Sequence, residues 1–283
     1  MITKNRESFM PELVEVETIR EIVEPQIAGH VIGKVTVNNP AVIACPSAEA
    51  FCTLLRGQRI TGITRRGKYL IFGLESGDRM IMHLRMTGSL LVTPQNYPLE
   101  KHTHVIFDLS GDIQLRFIDP RRFGRFWLIR SGQEDTESGI AKLGIEPFDP
   151  GLTAEYLKSA FAKRKKSVKA CLLDQEIIAG IGNIYACEIL FASGIRPDRS
   201  ACSLSEKELA VLAEKIPEVL KYFISRNKTT PEQYLAGKGW DYQNTPWFRV
   251  YGHEGKPCPV CGATLVHEKI GGRGTTWCPH CQN

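Results

Sequence analysis

Four cysteines near the end of this sequence carry its plainest chemistry. Cys258-Pro-Val-Cys261 and Cys278-Pro-His-Cys281 are two C-x-x-C pairs separated by sixteen residues. Thiolates at that spacing approach one ion from a tight turn. Two such turns complete a tetrahedral sulfur set suited to Zn2+. His280 lies inside the second pair and offers an alternative ligand, but four thiolates already close the site. The expectation is one structural zinc ion with no open catalytic position. Gly262 and Gly271-Gly272 supply turns for a β-hairpin between the pairs, which puts Arg273 at its tip. An exposed guanidinium there suits a phosphate, with a solvated turn residue as the other reading. The run Lys163-Arg164-Lys165-Lys166, with Lys169 nearby, is either a solvated face or a nonspecific phosphate patch.

The elements that position these groups follow from periodicity. Leu13, Val16, Ile19, Ile22 and Val23 recur at helical spacing after Met10-Pro11-Glu12, with Pro11 tolerated at a helix start. From Val31 to about Arg130, short runs (Tyr69–Leu74, Met80–Leu84, Ser89–Val92, Val105–Leu109, Ile113–Ile118) alternate with turn residues. That pattern predicts an antiparallel sandwich or barrel. Ser131 to Asp135 reads as a linker, and Glu155 to about Arg226 is helix-like, with Ser203 and Glu206 at capping-box spacing. Within it, Gly180-Ile181-Gly182-Asn183 separates two helical patterns, and Ile184, Cys187, Leu190 and Phe191 form an apolar face. Lys228 to Arg249 is aromatic and glycine-rich with little periodicity.

Bulk properties set the limits. The chain has 283 residues, enough for one or two domains, and 42% hydrophobic with 24% charged residues excludes global disorder. Its net charge of +5 is compatible with a polyanionic partner without requiring one. No apolar run reaches membrane-spanning length, and residues 1–9 do not read as a secretory signal. Nine cysteines, five of them (Cys45, Cys52, Cys171, Cys187, Cys202) scattered among apolar neighbours, fit buried thiols in a reducing, cytoplasmic setting better than a disulfide framework.

Six ordered motifs then carry a family resemblance. They are Met10-Pro-Glu-Leu-Val-Glu-Val-Glu-Thr18, Arg65-Arg-Gly-Lys-Tyr69, His83-Leu-Arg-Met-Thr-Gly88, Lys101-His-Thr-His104, Asp119-Pro-Arg-Arg-Phe-Gly124 and Gly180-Ile-Gly-Asn-Ile-Tyr185. With the zinc module they resemble bacterial formamidopyrimidine-DNA glycosylases from Met10 to the C-terminus. The resemblance implies an α+β protein. A catalytic domain over 10–132, built of an N-terminal helix and an antiparallel β-sandwich, would lead through a linker (133–154) to a helix–two-turn–helix DNA-binding domain with a mobile loop (155–249). A zinc finger over 250–283 would close the chain, and DNA would lie across the cleft. Residues 1–9 form an extension expected to be missing from the mature protein.

The chemistry implied is excision of oxidised purines, 8-oxoguanine and formamidopyrimidines, followed by β,δ-elimination at the resulting abasic (AP) site. By resemblance, Pro11 is the nucleophile and Glu12 the acid/base at the sugar ring oxygen. An α-amino group is less basic than lysine, and a helix N-terminus further disfavours its protonated form. Lys68 resembles the proton donor in β-elimination, with a phosphate role beside Arg65 and Arg66 as the alternative. Arg273 resembles the finger arginine that assists δ-elimination. His102, Arg121, Arg164, Lys169 and Asn183 fall on DNA-contacting positions. Met86, Arg121 and Phe123 resemble the residues that fill the hole left by an extruded base. Lys228 to Phe248 resembles the loop that closes over that base. The partner is damaged duplex DNA, met by a monomer.

The sequence departs from the pattern in places. Nine residues precede Met10, and Pro11 is nucleophilic only as a free N-terminus, so translation is expected to begin at Met10 with that methionine removed. Val14 replaces a second proline, an exchange expected to loosen the helix start, and His253 stands where arginine is common. Three other readings remain: a relative of the endonuclease VIII branch, preferring oxidised pyrimidines; a catalytically silent lesion- or abasic-site-binding protein; and a zinc-ribbon transcription or RNA-binding factor.

Overall fold

The computed structural model describes residues 11–239 and 245–283. The expected extension over 1–9 and Met10 lie outside the described residues, as do residues 240–244 of the expected loop. The chain divides into two compact units, Met1–Ala141 with Lys228–Tyr242, and Lys142–Asn227 with Gln243–Asn283.

The first unit opens with α1 (Leu13–Ile27), then β1 (Ile32–Val37), β2 (Ile43–Cys45) and α2 (Ala48–Leu55). Seven strands follow: β3 (Ile60–Arg66), β4 (Tyr69–Leu74), β5 (Arg79–His83), β6 (Ser89–Pro94), β7 (Thr103–Leu109), β8 (Ile113–Ile118) and β9 (Arg125–Ile129). They form two sheets in the orders β1-β7-β8-β6 and β2-β9-β5-β4-β3. All pairings are antiparallel except β2 with β9, a parallel edge that the alternation pattern did not predict. Alternate residues Val105, Phe107 and Leu109 of β7 point inward and meet Leu70, Phe72, Met80 and Met82 from the other sheet in one core. Val16, Ile19, Val23 and Ile27 of α1 join that core, each contributing about 1.5–3 kcal/mol by burial.

Helix α1 begins later than expected. Glu12 is its N-cap, so Pro11 lies before the cap and not in the first turn. The Glu12 amide donates to Glu15 Oε2 at 2.9 Å within a capping box. Val14, in place of the second proline, is wholly buried inside the helix.

The second unit contains α3 (Ala154–Phe161), α4 (Val168–Leu172), α5 (Asn183–Ala192) and α6 (Glu206–Arg226). The capping box of α6 is formed by Ser205 and Glu208, two residues beyond the expected pair, because Ser203 belongs to a preceding 3-10 turn. Helix α5 is buried from Ile184 to Phe191 around its whole circumference, a wider apolar surface than the predicted face. Between α6 and the hairpin, α7 (Pro231–Ala236) returns to the first unit, where Tyr234 enters the sandwich core and Gly239 closes on Ser89. The expected division gave this stretch to the helical domain and no regular structure. The structure groups residues 228–239 with the sandwich and 245–249 with the helical unit, and a capping box between Thr230 and Gln233 opens a short helix that the low periodicity did not announce.

The chain closes with β10 (Val266–Ile270) and β11 (Arg273–Trp277), paired antiparallel with Ile270 opposite Arg273. Gly271 and Gly272 have φ of 58° and 78°. Positive φ at both central residues is what a two-residue hairpin turn demands, and only glycine adopts it without strain. Of the scattered cysteines, Cys171 and Cys187 are buried as expected, Cys45 and Cys52 are half-buried, and Cys202 is exposed.

Candidate nucleic-acid and catalytic sites

In the first unit, α1 is fastened to β3 by two acidic side chains. Glu24 Oε1 accepts from the Ile63 amide at 2.9 Å, and Glu17 Oε2 accepts from Arg65 Nε at 2.8 Å. Burial alone would raise the Glu17 carboxyl, but hydrogen bonds from Arg20 and Arg65 overcome that and hold it below its ordinary value. The contacts step from residue 24 to 17 along the helix as they step from 63 to 65 along the strand, so the two run in opposite directions. The helix start that bears Pro11-Glu12 therefore lies towards the end of the unit to which β3 runs, where the β3–β4 turn holds Gly67 (φ 55°) and half-buried Lys68. Glu12 is 1% exposed.

On the same unit, Met86 is half-buried in the turn after β5, while Arg121 and Phe123 are exposed in the turn before β9. The Arg121 guanidinium lies 5.0 Å from the Phe123 ring centre, and Phe123 is 45% exposed, far above the core aromatics. His102 is half-buried with φ of 66°. Among the described residues of this unit, the structure therefore presents the three expected void-filling side chains on two neighbouring turns.

The second unit assembles a basic site around the hairpin. Arg273 is exposed, one residue past the turn and not at its apex, as the first residue of β11. The next residue is held from two helices: Asn183 Nδ2 and Lys169 Nζ each donate to the Gly274 carbonyl at 3.2 Å. Lys169 also donates to Thr275 Oγ1 at 2.6 Å. Expected as a direct DNA contact, Lys169 is wholly buried and seats the hairpin. Gly182, and not Asn183, caps α5, leaving Asn183 as its first residue with a buried Oδ1 that has no partner among the described residues. The basic run is partly neutralised, since Asp174 pairs with Arg164 at 3.4 Å and Lys166 at 2.8 Å. Lys163 and Lys165 are exposed.

The four cysteine sulfurs lie within 4.8 Å of one another, with Cys258–Cys281 at 3.9 Å and Cys261–Cys278 at 3.5 Å. Tetrahedral zinc–thiolate bonds of ordinary length separate the sulfurs by about 3.8 Å, so the residues fit one structural zinc ion. His280 is exposed and is not needed as a ligand.

Three buried polar groups escaped the sequence reading. His83 is 8% exposed, its Nδ1 accepts the Arg85 amide at 2.9 Å, and its ring meets Tyr69 edge-on at 4.5 Å. Burial, then the charges of Arg85 and Lys68, push this imidazole down to about 3. Glu188 accepts three consecutive amides, from Arg249 (3.0 Å), Val250 (3.0 Å) and Tyr251 (2.8 Å), and burial pushes its carboxyl up despite them. Asp119, wholly buried, binds the turn that carries Arg121. Only Asp119 had a local signal, an acidic residue before proline at a turn.

A β-sandwich with an exposed arginine–aromatic pair, a helix–two-turn–helix unit and a four-cysteine zinc finger define a class of DNA-processing proteins. Three family models match in order: the formamidopyrimidine-DNA glycosylase N-terminal domain over residues 10–126, its H2TH domain over 143–234, and the zinc finger found in FPG and IleRS over 255–283. The formamidopyrimidine-DNA glycosylase of Moorella thermoacetica is 46% identical over 256 residues, covering 90% of this chain and 93% of that one. That of Pelotomaculum thermopropionicum is 41% identical over 96% of this chain and 99% of its own length. Lactococcus lactis Fpg complexed with DNA containing an abasic site is similar at a TM-score of 0.86 and 33% identity, covering 96% of this chain and 99% of that chain. The same protein with DNA containing FAPY-dG matches equally well. The chain belongs to the formamidopyrimidine-DNA glycosylase family, the DNA-repair glycosylases with a zinc finger. No helix among the described residues is long and apolar enough to cross a membrane.

Proposed function

We propose that this protein excises oxidised purines from duplex DNA and then cleaves the strand at the abasic site, acting as a monomer in the cytoplasm. The observation that carries the reading is the antiparallel course of α1 and β3, which sends the helix start bearing Pro11-Glu12 and the turn bearing Lys68 towards the same end of the unit. A free Pro11 nitrogen would bond to the sugar C1′ as the glycosidic bond breaks and the base departs with its electron pair. Glu12, held by the capping box, would take the proton that the Pro11 nitrogen gives up and pass it to the ring oxygen as the sugar opens to an iminium, while the departing base takes a proton from water. Lys68 would serve proton transfer in the elimination. Arg273, beside a carbonyl held by Asn183 and Lys169, would bind the phosphate that leaves.

Met86, Arg121 and Phe123 would occupy the space vacated by the extruded base, the apolar and aromatic groups replacing stacking and the guanidinium meeting the orphaned partner. That set favours purine lesions over the pyrimidine preference of the endonuclease VIII branch. His102 and Arg164 would contact the backbone.

The test is borohydride trapping on duplex DNA containing 8-oxoguanine or an abasic site, with one form beginning at Met1 and one at Met10. Intact-mass analysis identifies the N-terminus. A covalent adduct through Pro11 in the Met10 form supports the reading. No adduct from a verified free Pro11, with abasic-site binding retained, leaves a silent lesion-binding protein instead.

A further inference from the structure

The three void-filling side chains stand on two separate turns, and one buried carboxylate joins those turns. Asp119 Oδ1 accepts the Thr87 hydroxyl and the Arg121 amide, the latter at 3.1 Å, while Oδ2 accepts the Gly124 amide at 2.8 Å. The Thr87 hydroxyl oxygen also lies 3.3 Å from the Arg121 amide. The Asp119 main chain is fixed as well: its carbonyl accepts from His104 Nε2 at 2.7 Å and from the Arg122 amide at 3.2 Å, and its amide donates to the His102 carbonyl at 3.1 Å.

The two turns also rest on one ring. A Cβ at Gly88 would meet Phe117 Cε2 at 2.9 Å, and one at Gly124 would collide with Phe117 Cζ. Both turns carry non-glycine residues at positive φ, Arg85 at 58° and Arg122 at 60°, conformations that persist only when the surroundings enforce them. The Arg85 strain is answered by the His83 acceptor, and the Arg122 strain by the Asp119 carbonyl.

We infer that Asp119 and Thr87 are positioning residues that lock Met86 to Arg121 and Phe123 as one preformed wedge, so that the hole left by an extruded base is filled by a single rigid unit. This rests on the proposed base-extruding function. Among the described residues, Asp119 is bonded by a hydroxyl and by backbone amides and not by a cation, as suits a group that fixes loop geometry. A wedge assembled in advance need not be ordered during extrusion, and that saving acts chiefly on base release. Elimination at an abasic site already bound has no base to extrude, so its rate should depend on the wedge far less than excision does.

The experiment compares Thr87→Val, Thr87→Ser and Asp119→Asn with the unaltered protein, each verified as folded by its melting transition. Two rates are read: excision of 8-oxoguanine from a duplex and incision of a preformed abasic site. A third reading is the fluorescence of 2-aminopurine placed opposite a tetrahydrofuran abasic analogue, which reports insertion without chemistry. Thr87→Val and Asp119→Asn should lower excision by tenfold or more, on the order of the loss of one or two buried hydrogen bonds. Abasic-site incision should stay within about threefold, the fluorescence response should fall, and Thr87→Ser should restore all three. Equal losses in excision and incision, or an unchanged fluorescence response in a folded Thr87→Val, would overturn the inference. If the unaltered protein with a free Pro11 performs neither reaction, it is the proposed function that fails, and the fluorescence of the bound abasic duplex still decides the wedge.

Discussion

Lys169 and Thr275, from α4 and β11, meet through an ammonium-to-hydroxyl hydrogen bond of 2.6 Å in the interior of the second unit. A lysine almost never reaches full burial unless its donors are satisfied. Here they reach the Gly274 carbonyl and the Thr275 hydroxyl, the two groups that follow Arg273. The cation therefore fixes the start of the strand that carries Arg273.

Lys169→Met should cost about 1–3 kcal/mol, because the Gly274 carbonyl and Thr275 hydroxyl lose a donor. Denaturant unfolding measures that loss. The second strand scission, assigned to Arg273, should weaken more than base excision. Equal loss of both would detach Lys169 from the hairpin's role.

Glu12→Gln retains the shape and hydrogen-bonding capacity of the capping residue but removes its proton. The fold should persist, with a melting temperature near that of the unaltered protein. Excision should fall by about a hundredfold or more. Unchanged excision would remove Glu12 from the chemistry.

His83 supplies a pH dependence of stability. Its folded pKa is depressed to about 3 by burial, then by Arg85 and Lys68. The unfolded imidazole takes up a proton below about 6.5 while the folded one does not. Stability from this group is therefore complete above pH 6.5 and is lost progressively as pH falls towards 3. The loss between pH 7 and pH 5 should be about 2 kcal/mol. His83→Asn, which retains an acceptor for the Arg85 amide, should flatten that slope in urea titrations. An equal slope in the variant would assign the acid sensitivity to other groups.

Chelation of zinc should unfold the finger alone. Trp277 is 5% exposed, with the Arg196 guanidinium 4.9 Å from its ring. Its fluorescence should red-shift on metal removal, and abasic-site binding should fall, while the sandwich unit keeps its cooperative transition. A finger that holds its tryptophan signal with the metal gone would be stable through packing alone.

The zinc ligands were legible because C-x-x-C spacing is itself the geometry of two thiolates on one turn. The strands from Tyr69 to Ile118 were legible because short apolar runs stand between turn residues, the pattern that strands covered on their faces leave in a sequence. The parallel β2–β9 edge was not, since Ile43–Cys45 is too short to show a period and its partner lies far along the chain. Helix boundaries slipped by one or two residues at Pro11 and Ser203, where several capping residues compete within one turn. Helix α7 was hidden by its short length and its glycine-rich neighbours.

The sequence by itself determined which groups are present and in what order: a proline and glutamate opening a helix, the finger arginine and the four thiolates. Those depend on local spacing and on the resemblance of ordered motifs. Only the tertiary structure decided which buried groups hold them in place. Asp119 reaches Thr87, 32 positions earlier, and Lys169 reaches Thr275, 106 positions later. Whether a charged side chain faces water or a backbone carbonyl depends on which elements pack over it, and no local pattern records that.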